Sequence, residues 1–444
     1  MVKESPTAEA VLEAFDAGAS PELVGRNCTR VPYTPLPAVP PFHVSGEMIA
    51  YASPDSTYSV TRTLIEGAQH RILIGIYDLT ADYMRVMLEA AINRGVKVSL
   101  MLDLDGRTGE TPIFDALRAA GAECAPAPSC ASKHAKVFAS SHETVIVIDD
   151  EWSLVQSGNW SDNSIPANLV DGGTVATWVT GNRDMGLAVR SKPLAAFFTS
   201  VLRSDIDLEL NGAGPETVGL EAEEAIFAAE AAPPKPPLER FKSKHFNPEN
   251  AVSVRPVLTP DNYMDIVPGL LRSARSSICI EQQYIRPTQV DIGLLLDAID
   301  EARTAAGNAL KVRIVLAPPF PGARFEKEAA AIRSLSTRGL NLGTQVRILS
   351  PKYLVHCHNK LIIVDNERVL VSSQNWSDSA VSTNREAGLL VRYPELARYY
   401  RKIFDLDWRT GLDKVVKHPT TVHGPEALGQ PGMVNLNWGD YAEV

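Results

Sequence analysis

Two imidazoles, an amine, a carboxylate and a carboxamide surround one apolar run in VHCHNKLIIVDNERVLVSSQNWSD, residues 355–378. In an extended strand residues i and i+2 point to the same side, so His358 and Lys360 share a face at the mouth of that run. A stretched copy, KHAKVFASSHETVIVIDDEWSLVQSGNWSD, begins at Lys133, and there His134 and Lys136 stand in the same relation. Two His, two Lys and the carboxamides of Asn159 and Asn375, brought to one spot, suit a tetrahedral anion. Lysines and carboxamides bind non-bridging phosphoryl oxygens and stabilise the charge that develops on them. One imidazole can attack phosphorus while the other protonates the leaving oxygen and then activates water. A ring that titrates near neutrality can be held in either state. Each imidazole needs its second nitrogen held by an acceptor, a task that falls to Asp184 and Glu386.

The elements that must position these groups occur twice. QSGNWSDNS (156–164) returns as SSQNWSDSA (372–380), and GNRDMGLAVR (181–190) as TNREAGLLVR (383–392). VIVIDDE (145–151) parallels LIIVDNE (361–367), with Asp149 over Asp365 and ten residues from each to Asn159 or Asn375. Upstream, AQHRILIGIYDL and VKVSLMLDLD match ARSSICIEQQYI and LKVRIVLAPP. Each half reads strand, helix, strand, motif, strand. The strands are continuous apolar runs, as when helices cover both faces, and DYMRVMLEAAINRG has helical spacing that stops at Gly95. The expectation is two homologous α/β/α sandwich lobes with mixed, largely parallel sheets, related by a pseudo-two-fold axis. The organisation expected is an extension over 1–44, a first lobe over 45–207, a linker over 208–250 carrying APPKPP, a second lobe over 251–412 and a surface tail over 413–444. Asn159 and Asn375 follow tight Ser-rich turns (Ser157, Ser373) and are expected to cap helices. His142 and His356 have no counterpart in this alignment and read as bystanders.

At 444 residues with 45% hydrophobic and 22% charged side chains, the chain has the composition of a soluble globular protein. Its net charge of −10 argues against a general nucleic-acid binder, which gains affinity through clustered Lys and Arg. The five cysteines form no metal-spaced pairs. Cys279 and Cys357 read as small buried residues, and a reducing compartment is expected, with a local Cys124–Cys130 pair as the alternative. No secretory leader or membrane-spanning run is read from the sequence, so the expectation is a cytoplasmic protein, at most peripheral to a membrane. No cofactor is expected. A metal at His356 and His358 would need further ligands that the spacing does not offer.

HNKLIIVD, with His358, Lys360 and Asp365, resembles the H-x-K-x4-D signature of the phospholipase D superfamily, and the Ser-Ser-x-Asn and Asn-Arg-Glu elements fit it too. The resemblance spans residues 45–410. It implies a two-lobed monomer, a metal-independent phosphodiesterase or transphosphatidylase, a phosphohistidine intermediate, and a chiefly structural Asp149 and Asp365. By family habit the nucleophile is the first histidine, His134, with His358 as acid/base. The first copy departs from the signature: after His134-Ala-Lys136 the Asp position holds Ser141, so the alignment to Asp149 requires about eight inserted residues. A second enlargement, IPANLVDGGTVATWV, lies between Asn159 and Asp184 and reads as a lid, a lipid contact or surface packing. EQQYIRP (281–287) resembles the IENQYF segment of lipid-acting members, placing Gln283 and Tyr284 at the pocket with Tyr77 as the counterpart in the first half. The favoured substrate is a phospholipid phosphodiester. A nuclease and a catalytically dead binding descendant are the alternatives.

Overall fold

The structure, a computed structural model, describes residues 28–105, 109–174, 176, 178–211, 227–230, 239–320, 324–417 and 433–436. The expectations for a leader at the N-terminus, for APPKPP and for most of the tail concern residues outside these.

The first lobe runs β2 (Met48–Ser53), α1 (Thr57–Gly67), β3 (Arg71–Ile76), α2 (Asp82–Asn93), β4 (Lys97–Leu102), α3 (Glu110–Ala119), β5 (Glu123–Pro126), β6 (Thr144–Ile148), β7 (Trp152–Gln156), β8 (Asp184–Arg190) and α4 (Lys192–Asn211). The second repeats it as β11 (Val252–Thr259), α5 (Tyr263–Arg272), β12 (Ser277–Gln282), α6 (Val290–Ala306), β13 (Lys311–Leu316), α7 (Arg324–Ser334), β14 (Val346–Ile348), β15 (Lys360–Val364), β16 (Arg368–Ser372), α8 (Asp378–Ser382), β17 (Glu386–Arg392) and α9 (Pro394–Thr410). Each lobe is one eight-stranded sheet, and in each the strands carrying the repeated motif lie at the centre.

Both sheets are mixed, but only two of the seven ladders in each are parallel, β3–β4–β5 and β12–β13–β14. The rest are antiparallel. The expectation of largely parallel sheets is corrected here. Apolar runs such as VIVI and LIIV report burial on both faces, and that burial does not depend on strand direction. One face of each sheet packs on its own helices. The other joins a core shared by the two lobes, which Leu187, Phe198, Val369 and Tyr400 help to fill.

The lobes also exchange edge strands. β1 (Phe42–Val44) precedes the first lobe but pairs with β11 of the second. β10 (Lys244–Phe246) precedes the second and pairs with β2 of the first. Upstream of β1, the segment from Cys28 straps across both lobes. Cys28 is disulfide-bonded to Cys130, Val31 N donates to Lys136 O at 2.7 Å, and Tyr33 Oη donates to Asp261 at 2.9 Å. A Cys124–Cys130 pair is therefore excluded: Cys124 lies on β5 and is a free thiol, while Cys130 faces the strap. Cys279 and Cys357 are buried as expected. Disulfides persist in oxidising compartments, so the cysteines no longer argue for a reducing one. Among the described residues no helix is long and apolar enough to cross a membrane.

Asp149 and Asp365 sit at the ends of β6 and β15 in tight hairpin turns, with φ of 52° and 56°, each followed by a second residue at positive φ. Such turns match the twist of the flanking strands and favour Asp and Asn. The Asp149 carboxylate accepts the backbone N–H groups of Gln69, His70 and Arg71 at 2.7–2.9 Å. Asp365 does the same for Arg275, Ser276 and Ser277. Burial would raise both carboxyls, but these N–H donors hold them below the usual range. Replacing either by Ala should cost about 2–3 kcal/mol at neutral pH, since charge-assisted bonds are lost and three donors stranded. A depressed carboxyl stabilises the fold above its ordinary value, about 4, and that contribution vanishes on acidification. The gap between variant and wild-type denaturation midpoints should therefore close as the pH is lowered through that range.

Candidate functional site

The site is built where the two sheets meet. The last residue before β6 that can face across it is His142, and in the second lobe the equivalent residue before β15 is His358. His142 N donates to Arg385 O at 2.8 Å and His358 N to Arg183 O at 3.0 Å, so each motif strand is tied to the opposite lobe by the same bond. His142 Nδ1 lies 2.9 Å from Glu386 Oε2. His358 Nδ1 lies 3.0 Å from Asp184 Oδ1. Each imidazole thus takes its orienting carboxylate from the other half of the chain. Asp184 and Glu386 occupy the places expected of them.

His134 does not. It is exposed on a loop, its N–H bonded to Ser132 Oγ at 2.9 Å, and Lys136 is half-buried beside the N-terminal strap. The cause lies in the sequence: after His134 the only large apolar residues before Ser140 are Val137 and Phe138, too short a run for a central strand, and the strand TVIVI begins at Thr144. With His142 in the motif position, the spacing to Asp149 equals that from His358 to Asp365. No insertion separates His from Asp. His142, set aside as a bystander, is the counterpart of His358, and the first copy reads H-x-T-x4-D, with the buried Thr144 in the lysine position. The equal spacing back from Asp149 was the signal that identifies it.

Lys360 is fully buried. Its Nζ donates to the carbonyl oxygens of His358 (2.7 Å) and Ser157 (3.3 Å) and lies 3.1 Å from His358 Nε2. Burial first, and the Lys360 charge second, push His358 down to about 4, with Asp184 opposing. The ring is therefore neutral at neutral pH. Burial would raise Asp184, but His358, Lys360 and Ser157 together hold it below the usual range. Ser157 Oγ lies 2.8 Å from Asp184 Oδ1 and 3.3 Å from Asn359 Oδ1, and Asn359 Nδ2 donates to the buried Glu281 at 2.8 Å. This chain of contacts fixes the His358 side. A side chain at Gly158 would meet the Asp184 carboxylate at 2.8 Å, so the tight turn there needs glycine. On the other side Ser373 Oγ donates to Glu386 Oε2 at 2.5 Å and Asn384 Nδ2 to Oε1 at 3.1 Å. Burial pushes Glu386 up to about 8.

Asn159 and Asn375 are buried at the same level, and Asn159 Nδ2 and Asn375 Oδ1 have no hydrogen-bond partner among the described residues. Neither caps a helix. α8 is capped by Ser377, whose Oγ accepts from Ala380 N, and the first copy forms only a turn at Ser161–Ile165. Tyr77 packs against His142, ring centroids 4.4 Å apart. Gln283 and Tyr284 line an open cleft with Arg286, Phe320 and His356. Among the described residues no cluster of three or more His, Cys, Asp or Glu side chains is arranged to hold a metal.

Sequence reasoning also passed over Arg183 and Arg385, the centre of each Asn-Arg-acid element. Arg183 bonds Asp55 and, across the lobes, Asp407 at 3.0 and 2.7 Å. Arg385 bonds Asp261 and, across the lobes, Asp205 at 2.7 and 2.8 Å. These buried pairs hold the carboxylates next to them, Asp184 and Glu386, on the lobe interface.

A family profile described as "Cardiolipin synthase, PLD-like domain" matches residues 61–206 and 268–408. Over 54 residues the chain is 35% identical to a "Mitochondrial cardiolipin hydrolase" from Danio rerio, a match covering 12% of this chain and 24% of that protein. The chain thus spans about a quarter of that relative. The crystal structure of phosphatidylserine synthase from Haemophilus influenzae Rd KW20 is similar in fold, with a TM-score of 0.58 and 14% identity over 89% of this chain and 93% of that one. A phospholipase D family member, Nuc from Salmonella typhimurium, matches 36% of this chain and 96% of its own at 23% identity, with a TM-score of 0.29.

Proposed function

The chain belongs to the phospholipase D superfamily, whose members act on phosphodiester bonds, and on that premise we propose that it cleaves phospholipid phosphodiesters through a phosphohistidine formed on His358. The observation that carries this reading is the crossed pair of imidazoles, each bonded at Nδ1 to a carboxylate from the opposite lobe.

In the first step His358 Nε2, neutral and oriented by Asp184, attacks phosphorus. The P–N bond forms, the bond to the leaving oxygen breaks, and His142, held at Nδ1 by Glu386, gives the proton on its Nε2 to that oxygen. In the second step His142 takes a proton from water or an acceptor alcohol, whose oxygen displaces the imidazole and restores His358. Hydrolysis and transfer differ only in that acceptor. Lys360 and the amides of Asn159 and Asn375 stabilise the non-bridging oxygens. With Thr144 in the other lysine position, Lys360 carries that charge without a symmetry mate.

The lipid class is supported by the family profile's description and by the names of the relatives, which concern cardiolipin and phosphatidylserine. It is tested by release of headgroup from mixed phospholipid vesicles in EDTA, with and without an added alcohol, beside plasmid nicking. Headgroup release is expected. Nicking without release would replace the lipid by nucleic acid.

Lys360→Met should lower kcat/KM by ~10²–10³. Removing a charge that lowers the His358 pKa must raise it, so the acid limb of the rate profile should move upward from about pH 4, toward the ordinary histidine value. A pH profile on a soluble diester reads both effects.

A further inference from the structure

Between Asn159 and Asp184 the first lobe carries a loop that the second lobe closes without: the equivalent step, Asn375 to Glu386, is spanned by α8 and a short turn. Its tip exposes Leu169, Val170 and Val179 at 63%, 49% and 45%. The tip is firmly braced. Asn168 Nδ2 donates to Pro54 O (2.8 Å) and Val179 O (2.9 Å), and its Oδ1 accepts from Val179 N at 2.9 Å. Gly172 N donates to Asp55 O at 3.0 Å. A loop held this way, at a place where polar residues would cost nothing, presents apolar side chains to something other than water.

A second observation gives the chemistry of what it meets. The loop is clamped to the stretch before β10 by Asp171, whose carboxylate accepts from Ser243 N and Oγ at 2.8 and 2.9 Å. At Gly172, φ 79°, the loop backbone passes so close that a Cβ would lie 2.6 Å from Lys242 Cγ. Arg240, Lys242 and Lys244 are all exposed there. Of the acidic neighbours, Asp171 bonds Ser243 between the two lysines, Glu47 bonds His245, and Glu239 pairs with Arg409, so none is paired with Arg240, Lys242 or Lys244. In a chain of net charge −10 three exposed cations thus follow one another beside an apolar tip. That combination partitions into an anionic membrane surface, the apolar residues entering the headgroup boundary and the cations meeting lipid phosphates.

We propose that Leu169, Val170 and Val179, flanked by Arg240, Lys242 and Lys244, dock the protein on an anionic phospholipid bilayer. The loop is tied to Pro54 and Asp55, which follow Ser53, the strand partner of Asp184. The proposal rests on the lipid reading above and supplies the partner from which the substrate is drawn.

The test is co-sedimentation of the full chain with vesicles of phosphatidylcholine alone or mixed with phosphatidylglycerol. The wild type should bind the mixed vesicles and lose affinity as salt is raised. Leu169→Ser with Val170→Ser should weaken binding to them by roughly tenfold or more, and Lys242→Glu with Lys244→Glu should abolish the preference for anionic lipid, near-UV circular dichroism reporting that each variant is folded. Equal binding by wild type and both folded variants overturns the proposal, as does retention on plasmid DNA with none on vesicles. Wild-type turnover of a short-chain phospholipid below its micellar limit separates the two readings. Turnover without vesicle binding sinks the docking surface alone. Vesicle binding without turnover keeps the surface and sinks the catalytic reading.

Discussion

Alanine at His142 should reduce turnover of a phosphodiester by ~10²–10⁴-fold, while alanine at His134 should leave it within about twofold. The contrast follows from where the chain places the two rings. His142 is buried, bonded to the Glu386 carboxylate at 2.9 Å and tied through its own N–H to Arg385 of the other lobe. His134 is exposed on a loop and bonded through its backbone to Ser132. In the proposed mechanism, loss of His142 removes the group that delivers a proton to the leaving oxygen, and it takes one of three side-chain partners from the buried Glu386 carboxyl. Loss of His134 removes a solvated side chain. Steady-state kinetics on a soluble diester and on vesicles would read the difference. Activity that survives His142→Ala but not His134→Ala would reinstate the displaced alignment.

The second large effect separates the two imidazoles by role. His358→Ala should abolish both turnover and phosphoenzyme formation whatever the leaving group, because the attacking nitrogen is gone. His142→Ala should instead be rescued in its first step by a leaving group that needs no proton, such as p-nitrophenolate, giving a burst of product and a phosphoenzyme that then hydrolyses slowly. The asymmetry comes from the surroundings of the rings. Burial and Lys360 keep His358 unprotonated, down to about pH 4, beside an ionised Asp184, whereas burial pushes Glu386, which lies against His142 Nδ1, up to about 8. A burst in His358→Ala and none in His142→Ala would reverse the roles.

Much of this site was legible in the sequence because the chain states it twice. The repeats of Asn-Trp-Ser-Asp and Asn-Arg-acid fixed Asn159, Asn375, Asp184 and Glu386 as equivalents, and the carboxylates do hold the imidazoles. What misled was the dipeptide spacing of His134 and Lys136, a two-residue coincidence that outweighed the constraint of a strand of constant length ending at Asp149. A strand has a fixed rise per residue, so equal distances back from the two aspartates were the stronger evidence, and they point to His142 and to Thr144. The direction of the strands was not legible, because burial on both faces gives the same apolar run whichever way a neighbour points. Nor was the exchange of β1 and β10 between lobes. Such short edge segments carry little pattern, and their partners are set by how the two sheets close on the shared core. The Cys28–Cys130 bond joins residues far apart in the chain, and spacing offers no guide to such a pair.

The proposed mechanism requires one covalent bond, from His358 Nε2 to phosphorus. An acid-quenched reaction with a slow diester, digested under conditions that preserve phosphoramidates and mapped by mass spectrometry, should place the phosphoryl adduct on His358 and find it accumulated in His142→Ala. An adduct on His134, or turnover with no adduct on any histidine, would contradict it.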